Sequence, residues 1–421
     1  IVLTTFGSYG DLHPYIAIAQ GLLARGHDAT IVTSEMYRSK VEREGIRFRP
    51  MRPNLAGLGE QAEIVRRVYD PRRGTEYMTR QLVMPHLPHT FDDLLAAARD
   101  ADVLVSHPLT YAAPLVARKL GTPWLSTVLQ PMVFMSAYDP PILPPAPWVK
   151  SLHGVSPALY RFVFRALKKT ARSWSEPVRS LARERGISEP AGDPLFEGQF
   201  SPHGTLALFS SALAEPQIDW PPHTHITGFP FYDADEVDPH PMQALDAFLD
   251  AGAAPIVFTL GSSAVFVARD FYRQAVEITK RLGHRAVLLT GKLVGDPGLG
   301  SLPREIFATE YAPYSTLFPR AAAVVHQGGI GTLAQAMRAA RPMLVVSFSH
   351  DQPDNGERAE KRGIGQHVPR AKFSVERGVE ALRELLSDPA YTRAASDVAR
   401  RMEREDGAEA ACVEIEKLLH A

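Results

Sequence analysis

At 421 residues the chain is too long for one ordinary hydrophobic core, so its length points to two domains, with three as the upper count. With 45% apolar and 22% charged residues it has the composition of a globular protein, which excludes global disorder. A formal charge of −1 gives no polyanion-binding signature, so no nucleic-acid partner is expected, and the single cysteine, Cys412, can form neither an intrachain disulfide nor a thiolate zinc site.

One thiol fits a reducing compartment, and no apolar run is long enough to span a membrane, so a cytoplasmic location is expected. The sequence opens on a strand pattern, so no signal peptide is expected. Its first residue is Ile1 rather than Met, which leaves room for a short leader.

Residues 1–6 form an apolar run that reads as a strand, followed by Gly-Ser-Tyr-Gly at 7–10. Ile16, Ala19, Leu22 and Leu23 then share one helix face, and Gly26 is placed to end the helix. A second strand follows at 29–33, completing a unit of βαβ size. The pattern repeats with a strand at 103–106, a helix at 111–120 closed by Gly121, and a strand at 124–128. Residues 131–148, rich in proline and apolar side chains, read as a long ordered loop. Residues 160–185 read as a basic helical stretch interleaved with Phe162, Phe164 and Leu167. The plain reading is a surface helix packed on its domain. A sharper, compatible reading makes loop and helix the wall of an acceptor pocket, with Phe134 and Trp148 lining it and a peripheral membrane contact left open.

Gly228, Pro230, several Asp residues and Pro239 mark a linker. Beyond it come a strand at 256–260, a Gly261-Ser262-Ser263 turn, a helix at 271–282 and a strand at 286–290. A further unit has a strand at 322–325, Gly-Gly-Ile-Gly-Thr at 328–332, a helix to Ala340 and a strand at 343–347. The alternation predicts an α/β protein of two doubly wound, Rossmann-like domains facing across a cleft. The expected divisions are a domain at 1–226, a linker at 227–250, a second domain at 251–395 and a terminal helix at 396–421. Ligands in such sheets bind beyond the carboxyl ends of the strands, here the cleft.

His326-Gln327-Gly328-Gly329-Ile330-Gly331-Thr332 lies between a strand and a helix. Glycines there allow close approach of an anion, and the helix start offers free N–H groups, which suits a diphosphate. Such turns also serve tight packing. The spacing is neither the dinucleotide fingerprint nor a P-loop. After the next strand come His350-Asp351-Gln352-Pro353-Asp354-Asn355, where an Asp-Gln pair can bond neighbouring sugar hydroxyls. In isolation such a pair is ordinary turn chemistry.

Together, Tyr-Ala-Pro-Tyr (311–314), Leu-Phe-Pro-Arg (317–320), Val-Val-His-Gln-Gly-Gly-Ile-Gly-Thr (324–332), Arg-Pro (341–342) and Asp-Gln-Pro-Asp-Asn (351–355) resemble the donor-binding signature of the UDP-glycosyltransferase superfamily. The nearest branch is the bacterial and sterol-glucosyltransferase-like one. Gly-Ser-Tyr-Gly-Asp-Leu-His-Pro (7–14) and Thr-Gly-Phe-Pro-Phe (227–231) resemble other parts of the same pattern. The resemblance implies a GT-B fold and a last helix that crosses back onto the first domain. It implies that Tyr311 stacks on the nucleotide base and that backbone near Ala312 reads the base edge. Ser262 and Ser263 would touch phosphate, Gly328, Gly329, Gly331 and Thr332 would form the diphosphate turn, and Asp351 and Gln352 would hold the sugar. Gln327 falls where plant members carry a phosphate-binding His, and His326 lies one place earlier. Successive strand residues point opposite ways, and the sequence leaves open which of the two meets phosphate. Gln335 replaces a ribose-binding Glu, which leaves TDP-sugars open beside UDP-sugars.

The implied reaction is an inverting, metal-independent transfer of a hexose to a hydroxyl of a small apolar or aromatic acceptor, of polyphenol, sterol, polyketide or lipid type. It needs a base across the cleft. By residue type Asp11 reads as a helix N-cap, whereas the resemblance implies the base. His107, at the parallel place of another βαβ unit, is expected to share a proton with Asp11. His13 is a third candidate, expected to point elsewhere. No cofactor and no metal are expected. Asp233-Ala234-Asp235 has the Asp-x-Asp spacing of metal-dependent transferases, but it lies in the linker and reads as solvated turn residues. Two alternatives share the fold: a nucleotide-sugar epimerase, disfavoured by the apolar loop at 131–148, and a non-catalytic auxiliary protein, disfavoured by Asp351, Gln352 and Asp11. The oligomeric state is not legible.

Overall fold

Two parallel sheets organise the chain, in a computed structural model that describes residues 1–54, 61–152, 156–233, 239–265, 268, 270–291 and 299–420. The first sheet contains β1 (Val2–Thr4), β2 (Thr30–Thr33), β3 (Arg47–Pro50), β4 (Leu104–Ser106), β5 (Trp124–Val128), β6 (Thr205–Ala207) and β7 (Thr224–Ile226), in the order β3-β2-β1-β4-β5-β6-β7. The second contains β8 (Ile256–Thr259), β9 (Ala286–Leu289), β10 (Ile306–Thr309), β11 (Ala323–His326), β12 (Met343–Ser347) and β13 (Gly365–Pro369), in the order β10-β9-β8-β11-β12-β13. Inner strands such as β1, β4, β5, β8 and β12 are buried along their whole length, as parallel strands covered on both faces must be.

The chain moves outward from the first strand of each sheet and then returns to that strand's other side. The order therefore reverses between β1 and β4, and again between β8 and β11. Crevices outside strand carboxyl ends at such reversals are where doubly wound folds bind ligands. The segments that leave these four strands carry Asp11, in the first turn of a helix, His107, Gly261, at the start of a short helix, and Gln327.

Three elements differ from the sequence reading. The basic stretch at 160–185 is two helices, Pro157–Ala171 and Glu176–Glu184, joined by a 3₁₀ turn. Pro177 lacks the N–H that would continue the first helix and fits the opening turn of the second. The C-terminal stretch is likewise two helices. Pro389–Met402 stays on the second domain, where Ala395, Val398 and Met402 join the apolar cluster of Ala336 and Met337. Only Gly407–Leu419 crosses back, burying Cys412 and Ile415 with Tyr15, Ile16 and Ile18. Arg25 and His27 of the first domain bond Glu416, and Arg25 also bonds Glu409. The crossing begins at Gly407, whose Cβ position lies 2.4 Å from the Phe229 carbonyl carbon, so a side chain has no room there.

The third difference is Asp233. It is not merely solvated, because Arg338 donates two hydrogen bonds to it at 2.9 and 2.8 Å and Gln335 donates a third at 3.2 Å. Ala234 and Asp235 lie outside the described residues. Among the described residues no helix is long and apolar enough to cross a membrane, and no three His, Cys, Asp or Glu side chains cluster as metal ligands do.

Candidate active site

The first crevice is built by the start of the helix Tyr9–Ala24. Ser8 is its N-cap: the backbone there is extended, and the hydroxyl accepts the Gly10 N–H at 3.2 Å. Asp11 therefore stands three residues inside the cap. Its Oδ2 accepts the Ser8 N–H at 2.7 Å and the Ser8 hydroxyl at 3.0 Å, completing a capping box. The other carboxylate oxygen, Oδ1, lies 3.3 Å from His107 Nε2. On the far side of the imidazole, Nδ1 accepts the Leu109 N–H at 3.1 Å. This network leaves the ring proton on Nε2, pointed at Asp11. Burial opposes ionisation of Asp11. The hydrogen bond from His107 and the two Ser8 donors outweigh it and hold the carboxyl below its usual value.

The His13 ring lies 5.6 Å from Tyr9 and 5.0 Å from Tyr232.

In the second domain, three glycines open the crevice between β8 and β11. Gly261 and Gly328 adopt φ of +65° and +89°. A Cβ on Gly328 would lie 2.6 Å from Val345 Cγ1 and 3.0 Å from the Gln352 carbonyl oxygen, so both conformation and space demand glycine. Gly329 caps the helix Ile330–Arg338, whose N-terminal N–H groups open on the same crevice. The Gln327 amide lies against both Gly261 and Gly329, and its buried Oε1 has no hydrogen-bond partner among the described residues. His326 points the other way. It is fully buried, Nδ1 accepts the Gly328 N–H at 3.1 Å, and Nε2 lies 3.5 Å from Met343 Sδ. Burial pushes its pKa down to about 3, so the ring is a neutral brace for the glycine turn. Ser262 and Ser263 belong to the short helix Gly261–Ala264, and their side chains lie outside the described residues.

Asp351 and Gln352 open the helix Gln352–Lys361 after β12. Gln352 Oε1 accepts the N–H groups of Phe348 and Ser349 at 2.9 and 3.2 Å, which turns its Nε2 end away as a donor. Asp351 Oδ2 accepts the Asn355 side chain at 2.7 Å. Burial pushes the Asp351 carboxyl up to about 7, and the negative charge of Asp11 adds to the rise. His350, held at φ +56°, closes one end of the cleft. Its Nδ1 meets the Thr75 hydroxyl at 3.3 Å, and its ring meets Tyr69 edge-on at 5.9 Å.

Tyr311 is 39% exposed beside the buried Ala312. Thr332 is buried, Gly331 is exposed, and Gln335, besides its bond to Asp233, keeps a buried Oε1 that has no partner among the described residues. Phe134 is buried, stacked on Trp220 at 4.2 Å, and flanked by Phe200 and Phe209. Trp148 is 54% exposed.

Asn355 escaped the sequence reading. Fully buried, it donates to the Gly328 carbonyl at 2.9 Å as well as to Asp351, tying the glycine turn to the Asp-Gln pair. Ser8 could have been found from the Ser-x-x-Asp spacing at 8–11, which is a helix-start signal.

Residues 1–128 match the family model for the glycosyltransferase family 28 N-terminal domain, and residues 284–420 match that for the erythromycin biosynthesis protein CIII-like C-terminal domain. The chain is 32% identical to O-mycaminosyltylonolide 6-deoxyallosyltransferase of Streptomyces fradiae, over 99% of this chain and 97% of that one. It is 28% identical to sterol 3-beta-glucosyltransferases of Aspergillus clavatus and Arabidopsis thaliana, each over 97% of this chain. It spans only 29% and 63% of their respective lengths. Among solved structures it resembles the glycotransferase of kitacinnamycin, with a TM-score of 0.72, 22% identity and coverage of 99% and 98%. The glycosyltransferase VinC in complex with DTDP matches with a TM-score of 0.70, 19% identity and coverage of 100% and 99%.

Proposed function

The chain belongs to the UDP-glycosyltransferase superfamily, with the GT-B fold, and is a glycosyltransferase; from this we propose that it moves a hexose from a UDP- or TDP-sugar onto a hydroxyl of a small apolar acceptor, with inversion at the anomeric carbon. The observation that carries this reading is Asp11. Its carboxylate stands at the first sheet's reversal point, with Oδ1 3.3 Å from His107 Nε2 and Oδ2 held by Ser8.

In this reading the acceptor hydroxyl approaches Asp11 and attacks the anomeric carbon in line with the departing nucleotide. The new C–O bond forms as the bond to phosphate breaks, and the hydroxyl proton passes to Asp11. A carboxylate held below its usual pKa is a weak base. The attacking oxygen becomes strongly acidic only as it bonds to carbon, so proton transfer falls late in the step. His107 already carries a proton on Nε2, so it aims the carboxylate and the proton ends on Asp11.

The leaving diphosphate would sit on the Gly328–Gly329 turn, with Gln327 rather than His326 facing it. The N–H groups and dipole of the helix Ile330–Arg338 stabilise the charge it gains. Asp351 and the Nε2 end of Gln352 would hold sugar hydroxyls. Tyr311 offers a ring for the base and backbone near Ala312 its edge, which uracil and thymine present alike. Residues 1–226 would serve the acceptor and 251–395 the donor. The relatives named for a tylonolide-derived acceptor and for sterols support an acceptor of polyketide or sterol type.

The test is incubation with UDP- and TDP-hexoses and a panel of macrolide aglycones, sterols and polyphenols. A glycoside formed with equimolar nucleoside diphosphate supports the reading. Sugar isomerisation without acceptor, or no turnover of any donor, counts against it.

A further inference from the structure

The loop after β5 is not free to move over the cleft. Ser136 Oγ accepts the N–H groups of Tyr138 and Asp139 at 3.1 and 3.2 Å and donates to Asp219 at 2.6 Å, and Asp219 also takes the Ala137 N–H at 2.7 Å. This places Asp139 firmly, and Pro140 and Pro141 then fix the path to Ile142. Both ends of that short run bond one helix of the other domain. Asp139 Oδ2 accepts from Arg358 Nη1 at 2.5 Å, and the Ile142 N–H donates to Asp354 Oδ1 at 2.9 Å. Arg358 Nε closes the network on Asp354 Oδ2 at 2.8 Å. The side chains of Arg358 and Asp354 are only 7% and 4% exposed, so this ion pairing is screened little by water. The helix that carries them is the one opened by Asp351 and Gln352.

We propose that Asp354 and Arg358 are positioning residues that clamp the acceptor-side loop at 136–142 to the donor-sugar helix, so that a bound acceptor and a bound sugar are held in register for transfer. Neither residue need touch substrate. The clamp makes the placement of the loop, with the exposed Tyr138 on it, depend on the helix that holds the sugar. This rests on the donor and acceptor assignment proposed above. A purely structural ion pair would stabilise the fold without choosing between transfer and its side reaction, hydrolysis of the donor by water. A clamp that sets the register changes that choice, because a misplaced acceptor leaves the anomeric carbon open to water.

Asp139→Asn is the informative variant, since it loosens the clamp from the loop side and leaves Arg358 paired with Asp354. Removing Arg358 outright would strand the buried Asp354 carboxylate and risk the fold. Three readouts are taken on the full chain: acceptor KM, the ratio of donor hydrolysis to glycoside formation, and UDP affinity by calorimetry. Asp139→Asn is expected to raise acceptor KM and the hydrolysis ratio each about tenfold while UDP affinity stays within about twofold, roughly the loss of one charge-assisted bond. Arg358→Lys, which keeps the charge but not the fork, is expected to fall between wild type and Asp139→Asn. Hydrogen exchange in the peptide spanning 136–142, measured without substrate, should quicken in Asp139→Asn. An unchanged hydrolysis ratio, or unchanged exchange, overturns the proposal. A wild-type protein that turns over no nucleotide sugar overturns the proposed reaction instead, and the exchange measurement then decides whether the clamp exists.

Discussion

Replacing Asp11 by Asn separates its two roles, as a base and as part of a helix cap. Asn keeps a carbonyl oxygen for the Ser8 N–H and hydroxyl, which now lie 2.7 and 3.0 Å from Oδ2. Its amide nitrogen then faces the proton on His107 Nε2, so donor meets donor across 3.3 Å. Relief requires the imidazole proton to move to Nδ1, which breaks the bond from the Leu109 N–H. That loss and the weaker cap should lower stability by about 1–2 kcal/mol, leaving the protein folded. Loss of the base should lower kcat about 10²- to 10⁴-fold, or roughly 3–5 kcal/mol in the barrier. UDP affinity, set in the other domain, should hold. The assay is kcat at saturating donor and acceptor, alongside urea unfolding and UDP titration. An Asp11→Asn protein that unfolds like wild type and transfers within about threefold of its rate would refute the role of Asp11 as base.

Other predictions follow from the same network. His107 lowers the Asp11 pKa, so His107→Ala should raise it and shift the acid limb of kcat/KM to higher pH; a limb that stays in place separates the two residues. Asp351, with a folded pKa raised to about 7, holds its proton more tightly folded than unfolded, so its contribution is present below its unfolded pKa and is lost as pH rises through 7. Asp351→Asn should therefore gain on wild type as pH rises from 3.8 to about 7, by on the order of a few kcal/mol in urea unfolding at the upper end; parallel pH curves would contradict this. Gln327→Leu should weaken UDP and TDP binding roughly 5- to 30-fold by calorimetry, the loss of one hydrogen bond to a charged group, whereas a normal affinity removes Gln327 from the phosphate site.

What the sequence disclosed depended on the range of the contacts involved. The helix Phe271–Leu282 and the strands Trp124–Val128 and Met343–Ser347 were legible to the residue, because each is an apolar pattern bounded by its own stop signals. The break between Ala171 and Glu176 could also be read locally, from Pro177, but the uninterrupted basic pattern hid it. The packing of Phe134 was not legible, because its stacking partner, Trp220, is remote in sequence. Alternation along β11 says that His326 and Gln327 face opposite ways, but with both sheet faces covered it cannot say which faces ligand. What separates their surroundings is remote in sequence: Met343 lies beside His326 and Gly261 beside Gln327. The link from Arg358 to Asp139 spans 219 residues and two domains, and no local pattern announces it.

The measurement that bears most directly on the central claim is the anomeric configuration of the product. With an α-linked UDP- or TDP-hexose and an acceptor that wild-type protein glycosylates, proton NMR of the glycoside reads it from the coupling at the anomeric carbon. Direct displacement with Asp11 as base predicts a β-glycoside, formed one for one with nucleoside diphosphate and greatly slowed in Asp11→Asn. An α-glycoside, or a β-glycoside formed as fast without the Asp11 carboxylate, would contradict it.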